Sequence, residues 1–187
     1  MRPGTSTRLG VILGLLVLGA DQGSKYWILN FAWPNIGQML GAGPVNVHDL
    51  PSVPEIELLP VLNLAFVGNP GVTFGLLNGL GPWSHYVLAV IAILVVGVLC
   101  VWLRRAENAL VAVSIGAIAG GALGNVIDRL RYGWVVDFIK AHVGQWSWYV
   151  FNIADAAIVC GVAVLILESQ IKRRPRQPDT VTRHGPA

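Results

Sequence analysis

The chain has 187 residues, of which 54% are hydrophobic and only 12% charged, with a mean hydropathy of +0.61. That balance excludes an ordinary soluble domain and fits a polytopic membrane protein. The net charge of +3 and the pI near 9.1 arise from basic flanks of apolar segments, which implies contact with anionic lipid and no nucleic-acid partner.

Four apolar segments, at about residues 9–29, 86–103, 109–127 and 150–167, are each long enough as helices to cross a hydrocarbon core of about 30 Å. In the first, Asp21 and Lys25 are four apart, so they share a helix face and neutralise each other as a structural pair. Arg2, Arg8, a short apolar run and the small Ala20 also resemble a cleavable signal peptide. Against that, Leu18 fits the cleavage position poorly, and removal would leave an odd number of spans.

The connection over residues 31–82 reads as an extracytoplasmic surface subdomain. Pro34, Gly37, Gly41, Gly43, Pro44, Pro51 and Pro54 make its first half irregular. β-Prone runs follow at 56–59 and 62–67, then a Gly68-Asn69-Pro70-Gly71 turn and a run at 72–77. These predict a hairpin or small β-sheet resting on the membrane surface. It is either a cap over the helices or an edge that an extended substrate can join.

The third span carries Gly116, Gly120 and Gly124 at every fourth residue, a stripe that lets another helix backbone approach. Asn125, Asp128 and Arg129 follow on one face. Arg129 is suited to pair with Asp128 or to hold a substrate carbonyl. In the fourth span Asn152 and Asp155 are three apart and share a face. Cys100 and Cys160 read as small buried apolar residues. The four histidines are scattered without zinc-type spacing, so no metal and no cofactor is expected.

Nine of the thirteen basic residues flank the termini and the loop at Arg104 and Arg105. The positive-inside rule therefore puts both termini in the cytoplasm, including a flexible tail at 172–187. Trp83, Tyr86, Trp134, Trp146, Trp148 and Tyr149 gather at the opposite boundary as an aromatic belt. Two acids fall near that same boundary. Asp137 sits inside the apolar run Val135-Val136-Asp137-Phe138-Ile139, and Asp155 lies one to two turns into the fourth span. Ionisable groups in such places are costly and usually functional. A pair of acids that shares one proton can activate water without a metal.

Five blocks in order resemble lipoprotein signal peptidase, or signal peptidase II, an aspartic peptidase family of the bacterial inner membrane. They are Asp21-Gln22-Gly23-Ser24-Lys25; Asn69-Pro70-Gly71-Val72-Thr73-Phe74; Gly120 to Asn125 with Asp128-Arg129; Val135-Val136-Asp137-Phe138; and Phe151-Asn152-Ile153-Ala154-Asp155. The resemblance implies a four-helix membrane all-α core with a small extracytoplasmic β-sheet. It implies Asp137 and Asp155 as the catalytic pair, with Asn125, Arg129 and Asn152 lining the site. Asn69 and Gly71 would lie on the sheet near the substrate. It further implies prolipoprotein substrates cut before a diacylglyceryl cysteine and inhibition by globomycin. A monomer is expected. Val72 and Thr73 depart from the two alanines usual in the family. Other readings are a proton-coupled transporter or a scaffold whose acids only pair with Arg129, Arg131 or Lys140. Against the transporter, four spans show no inverted repeat and the polar residues gather at one face.

Overall fold

A computed structural model describes residues 3–32, 55–71, 83–106, 108–144 and 146–173. Helix α1, Pro3–Trp27, runs on into a π-helical turn, Ile28–Ala32. Helices α2 (Ser84–Arg104), α3 (Ala109–Tyr132) and α4 (Ile153–Arg173) complete a bundle. All four helices are long and apolar enough to cross a membrane. Strands β1 (Glu55–Leu59), β2 (Leu62–Asn69), β3 (Val135–Val143) and β4 (Trp146–Phe151) form one antiparallel sheet in the order β1-β2-β3-β4.

Helix α3 is the centre of the bundle. Over half of its most apolar stretch is buried, against under a quarter in each of the other three. Its glycines are the cause. A Cβ on Gly116 would strike the Gly10 backbone, one on Gly120 would strike Gly14, and one on Gly121 would come 2.6 Å from the Ala154 carbonyl oxygen. Only residues without side chains permit such close seams in lipid. Asn108 caps the start of α3, its Oδ1 accepting from the Leu110 N–H at 2.8 Å while its Nδ2 donates to Glu168 of α4 at 2.9 Å. Gly133 ends the helix at φ +80° and donates its N–H to the Arg129 carbonyl at 3.1 Å.

Leu15, Leu16, Leu94, Val98, Val159 and Leu167 are each more than 60% exposed, as the outside of a bundle bathed in acyl chains should be. Cys100 and Cys160 belong to that surface too, which corrects their reading as buried residues. The solvent of a membrane bundle is itself apolar, so a small apolar side chain gains nothing by turning inward.

In the sheet, β1 and β2 form a hairpin with Glu55 opposite Ala65, and β3 lies between β2 and β4 with Asp137 opposite Val67. Residues Val135, Val136, Asp137 and Phe138 are all buried. An internal strand covered on both faces explains the unbroken apolar run around Asp137. Val136 and Phe138 pack against Ile28 and Ala32 at the end of α1, so strand alternation sends Asp137 to the opposite face.

Three boundaries differ from the sequence reading. Helix α3 continues to Tyr132, so Asp128 and Arg129 are helical. Val150 and Phe151 end β4 instead of opening a span, and α4 begins at Ile153. Half of the sheet comes from residues 135–151 and not from the first connection. The irregular segment expected at 33–54, the run at 72–77 and the tail beyond 173 lie outside the described residues.

Candidate active site

Asp137, in the middle of the sheet, is 1% exposed. Both of its oxygens are engaged: Oδ1 accepts from Asn152 Nδ2 at 2.7 Å and Oδ2 from Asn69 Nδ2 at 3.0 Å. Burial pushes its carboxyl up to about 7, and the nearby Asp155 charge pushes the same way. The amide donations and the Lys25 ammonium act in the opposite sense.

Asp155 does not lie one to two turns into a span. It stands in the first turn of α4, because Asn152 is the cap: the Asn152 side-chain oxygen accepts the Asp155 N–H at 2.9 Å and its carbonyl accepts from Ala156 at 3.2 Å. The first turn of a helix favours negative charge through its unpaired N–H groups. Asp155 Oδ1 accepts from Asn125 Nδ2 at 2.8 Å, and Asn125 Oδ1 accepts from Asn152 Nδ2 at 3.2 Å. Two amides thus link the acids in a continuous path, Asp137–Asn152–Asn125–Asp155. Asp155 is the more accessible member, whereas Asp137 and Asn152 are sealed.

Asn69 ends β2 and makes an Asx turn, its Oδ1 accepting the Gly71 N–H at 2.8 Å. Gly71 has φ +76°, and a Cβ there would lie 2.7 Å from Leu88 Cδ1 and 3.1 Å from Arg129 Nη2. Arg129 therefore lies directly under this turn. Its Nη1 donates to the Asn125 carbonyl at 3.3 Å, while its buried Nε has no acceptor among the described residues. The guanidinium does not pair with Asp128, which corrects one of the two roles read for it. Asp128 is taken by Lys25 at 2.8 Å, as is Asp21 at 2.8 Å, so the expected structural pair is a triad.

The sequence-predicted residues Asn69, Gly71, Asn125, Arg129, Asp137, Asn152 and Asp155 thus meet at one end of the bundle, with Asp21, Lys25 and Asp128 behind them. Gln22 was missed. It donates to Asp128 Oδ1 at 2.9 Å and to the Gly124 carbonyl at 3.1 Å. Its place beside Asp21 was the available signal. Among the described residues, no group of three or more His, Cys, Asp or Glu side chains is placed to hold a metal ion.

A family model described as signal peptidase (SPase) II matches residues 13–171. The chain belongs to the signal peptidase II family. A lipoprotein signal peptidase of Methylorubrum extorquens (strain PA1) is 43% identical over 176 residues, 94% of this chain and 93% of that one. Another, from Beijerinckia indica, is 38% identical over 161 residues, covering 86% of this chain and 87% of the relative. A solved structure described as a bacterial membrane enzyme superposes with a TM-score of 0.66 at 26% identity, over 93% of this chain and 94% of its own. A second of the same description gives 0.66 at 28% identity, over 89% and 92%. The protein is accordingly a membrane aspartic peptidase of the signal peptidase II type, embedded in a bacterial membrane.

The Gly71 turn supplies a first test of whether Arg129 serves cleavage. Gly71→Ala forces a side chain into left-handed backbone, at a cost of about 1–3 kcal/mol, and its methyl presses on Arg129. Cleavage is expected to fall about tenfold in kcat/KM, with little loss of Tm beyond the backbone strain. Steady-state assays beside thermal unfolding check this.

Proposed function

We propose that this peptidase removes the signal peptide from prolipoproteins by cutting before a diacylglyceryl cysteine, with Asp137 and Asp155 as its catalytic dyad. The observation that carries the reading is the pair of unlike carboxylates joined through two asparagine amides. The basic flanks at the other end of the helices support an extracytoplasmic site with both termini in the cytoplasm. A substrate that is part lipid and part extended peptide suits a site where a helix bundle meets a sheet. Action as a monomer is expected, and globomycin is expected to occupy the same site.

The environments of the two acids suggest the proton bookkeeping. Asp137, buried and raised to about 7, starts with the shared proton and donates a hydrogen bond to the scissile carbonyl. Asp155, in the helix first turn where negative charge is favoured, is the base and removes a proton from water as the water oxygen bonds to the carbonyl carbon. Proton transfer to the departing nitrogen then breaks the C–N bond, and the dyad ends with one proton, as it began. The two acids share one proton, so these are roles within a coupled site. Arg129 is placed to hold a substrate carbonyl or developing oxyanion with its unused donors.

The test is incubation of purified protein with a diacylglyceryl-modified precursor peptide, reading released signal peptide. Failure to cut that peptide while cutting an unlipidated one would end the substrate reading. In the same assay kcat/KM should fall as pH rises past about 7, because the site then loses the proton held at Asp137. A profile flat from pH 6 to about pH 9 would contradict the proton-sharing scheme.

A further inference from the structure

The dyad acids stand on separate elements, Asp137 on β3 and Asp155 on α4, and their relative placement needs a common mount. A buried ion cluster between α1 and α3 reaches both. Lys25 is 2% exposed, Asp21 0% and Asp128 1%. The ammonium lies 2.8 Å from Asp21 Oδ2 and 2.8 Å from Asp128 Oδ2. The second oxygen of Asp21, Oδ1, accepts the N–H of Ala154 at 3.0 Å. Asp128 Oδ2 also accepts the N–H of Val136 at 3.0 Å. Ala154 immediately precedes Asp155, and Val136 immediately precedes Asp137. Each cluster carboxylate therefore grips the backbone just before one dyad acid. The same Lys25 Nζ donates to Asn125 Oδ1 at 3.0 Å, which turns the Asn125 amide nitrogen toward Asp155.

Stability alone does not account for this. Three charges buried together lose most of their hydration, and apolar replacements of equal volume are often neutral or better. What apolar side chains cannot do is hold two backbone N–H groups and one amide in fixed directions. We propose that Asp21 and Asp128, held together by Lys25, are positioning residues of the dyad and set the separation of Asp137 and Asp155. This rests on the reading of Asp137 and Asp155 as the catalytic pair.

The experiment measures kcat and KM on the lipidated precursor peptide, with thermal unfolding in the same detergent. Asp128→Ala frees the Val136 N–H and is expected to lower kcat about 100-fold, as misplacement by about 1 Å does, with KM within about threefold. Asp128→Asn keeps an oxygen for that N–H and should recover about tenfold of the loss. Should Asp128→Ala not unfold cooperatively, the isosteric Asp128→Asn and Asp21→Asn carry the test, each expected to lower kcat about tenfold at constant KM. A folded variant with wild-type kcat, or a kcat that only tracks the folded fraction, overturns the proposal. Neither result touches the dyad assignment, which stands or falls separately on whether Asp155→Asn still cleaves.

Discussion

Asp137→Asn and Asp155→Asn are each expected to lower kcat by about 10⁴-fold, the upper end of what a positioned acid or base contributes. Binding of a lipidated peptide or of globomycin should change by no more than about threefold, because proton transfer is an interaction made only in the transition state. The two variants should differ in a second respect. Asp137 holds its proton up to about 7 in the folded protein, against an ordinary aspartate value of 3.8. Between those values the folded state binds more protons than the unfolded one. Stability from this group is therefore present below the lower value and lost as pH rises toward the upper one. Asp137→Asn should flatten that decline, giving a protein whose Tm exceeds the native one at pH 8 more than at pH 5. Turnover by either purified variant at more than about a hundredth of the native rate would exclude the dyad.

The helices and the acid pair were legible in the sequence because membrane physics is uneven. Long charge-free segments have few alternatives to spanning, and acids beside them stand out. The glycine stripe likewise announced the seam that α3 forms with α1. The errors lie where hydropathy stops discriminating. The run around Asp137 is apolar because β3 is covered on both faces, and a buried strand and a span edge look alike over five residues. Only the first residues of the span predicted at 150 belong to β4, and the span itself opens at Ile153, since Asn152 acts as a helix cap and not as a helix-face residue. The Asn-x-x-Asp spacing from Asn152 to Asp155 was the usable sign, being a capping pattern. Pairing with Asp128, one of the two roles read for Arg129, rested on adjacency, but adjacent residues on a helix point some 100° apart. Lys25, distant in sequence, reaches Asp128 from α1, and no spacing rule relates the two.

Asn152→Ala is the variant that separates scaffolding from proton control. The side chain does three things at once: it caps α4, donates to Asp137 at 2.7 Å and donates to Asn125 at 3.2 Å. Loss of the cap alone costs about 1 kcal/mol, which a four-helix membrane bundle should survive. Loss of the bridge is more serious. Asn125 stays oriented by Lys25, so Asp155 keeps its partner, but Asp137 loses the donor on Oδ1 and its tie to the helix that carries the other acid. The kcat is expected to drop about 100-fold, the scale of removing one preorganised donor. The pH profile should move as well. Asn152 favours the ionised form of Asp137, so its removal raises the Asp137 pKa and shifts the alkaline limb of kcat/KM upward from about 7. A role confined to capping would lower Tm and leave that limb in place. An unmoved limb together with a fall in kcat proportional to the folded fraction would show that Asn152 serves the helix and not the proton.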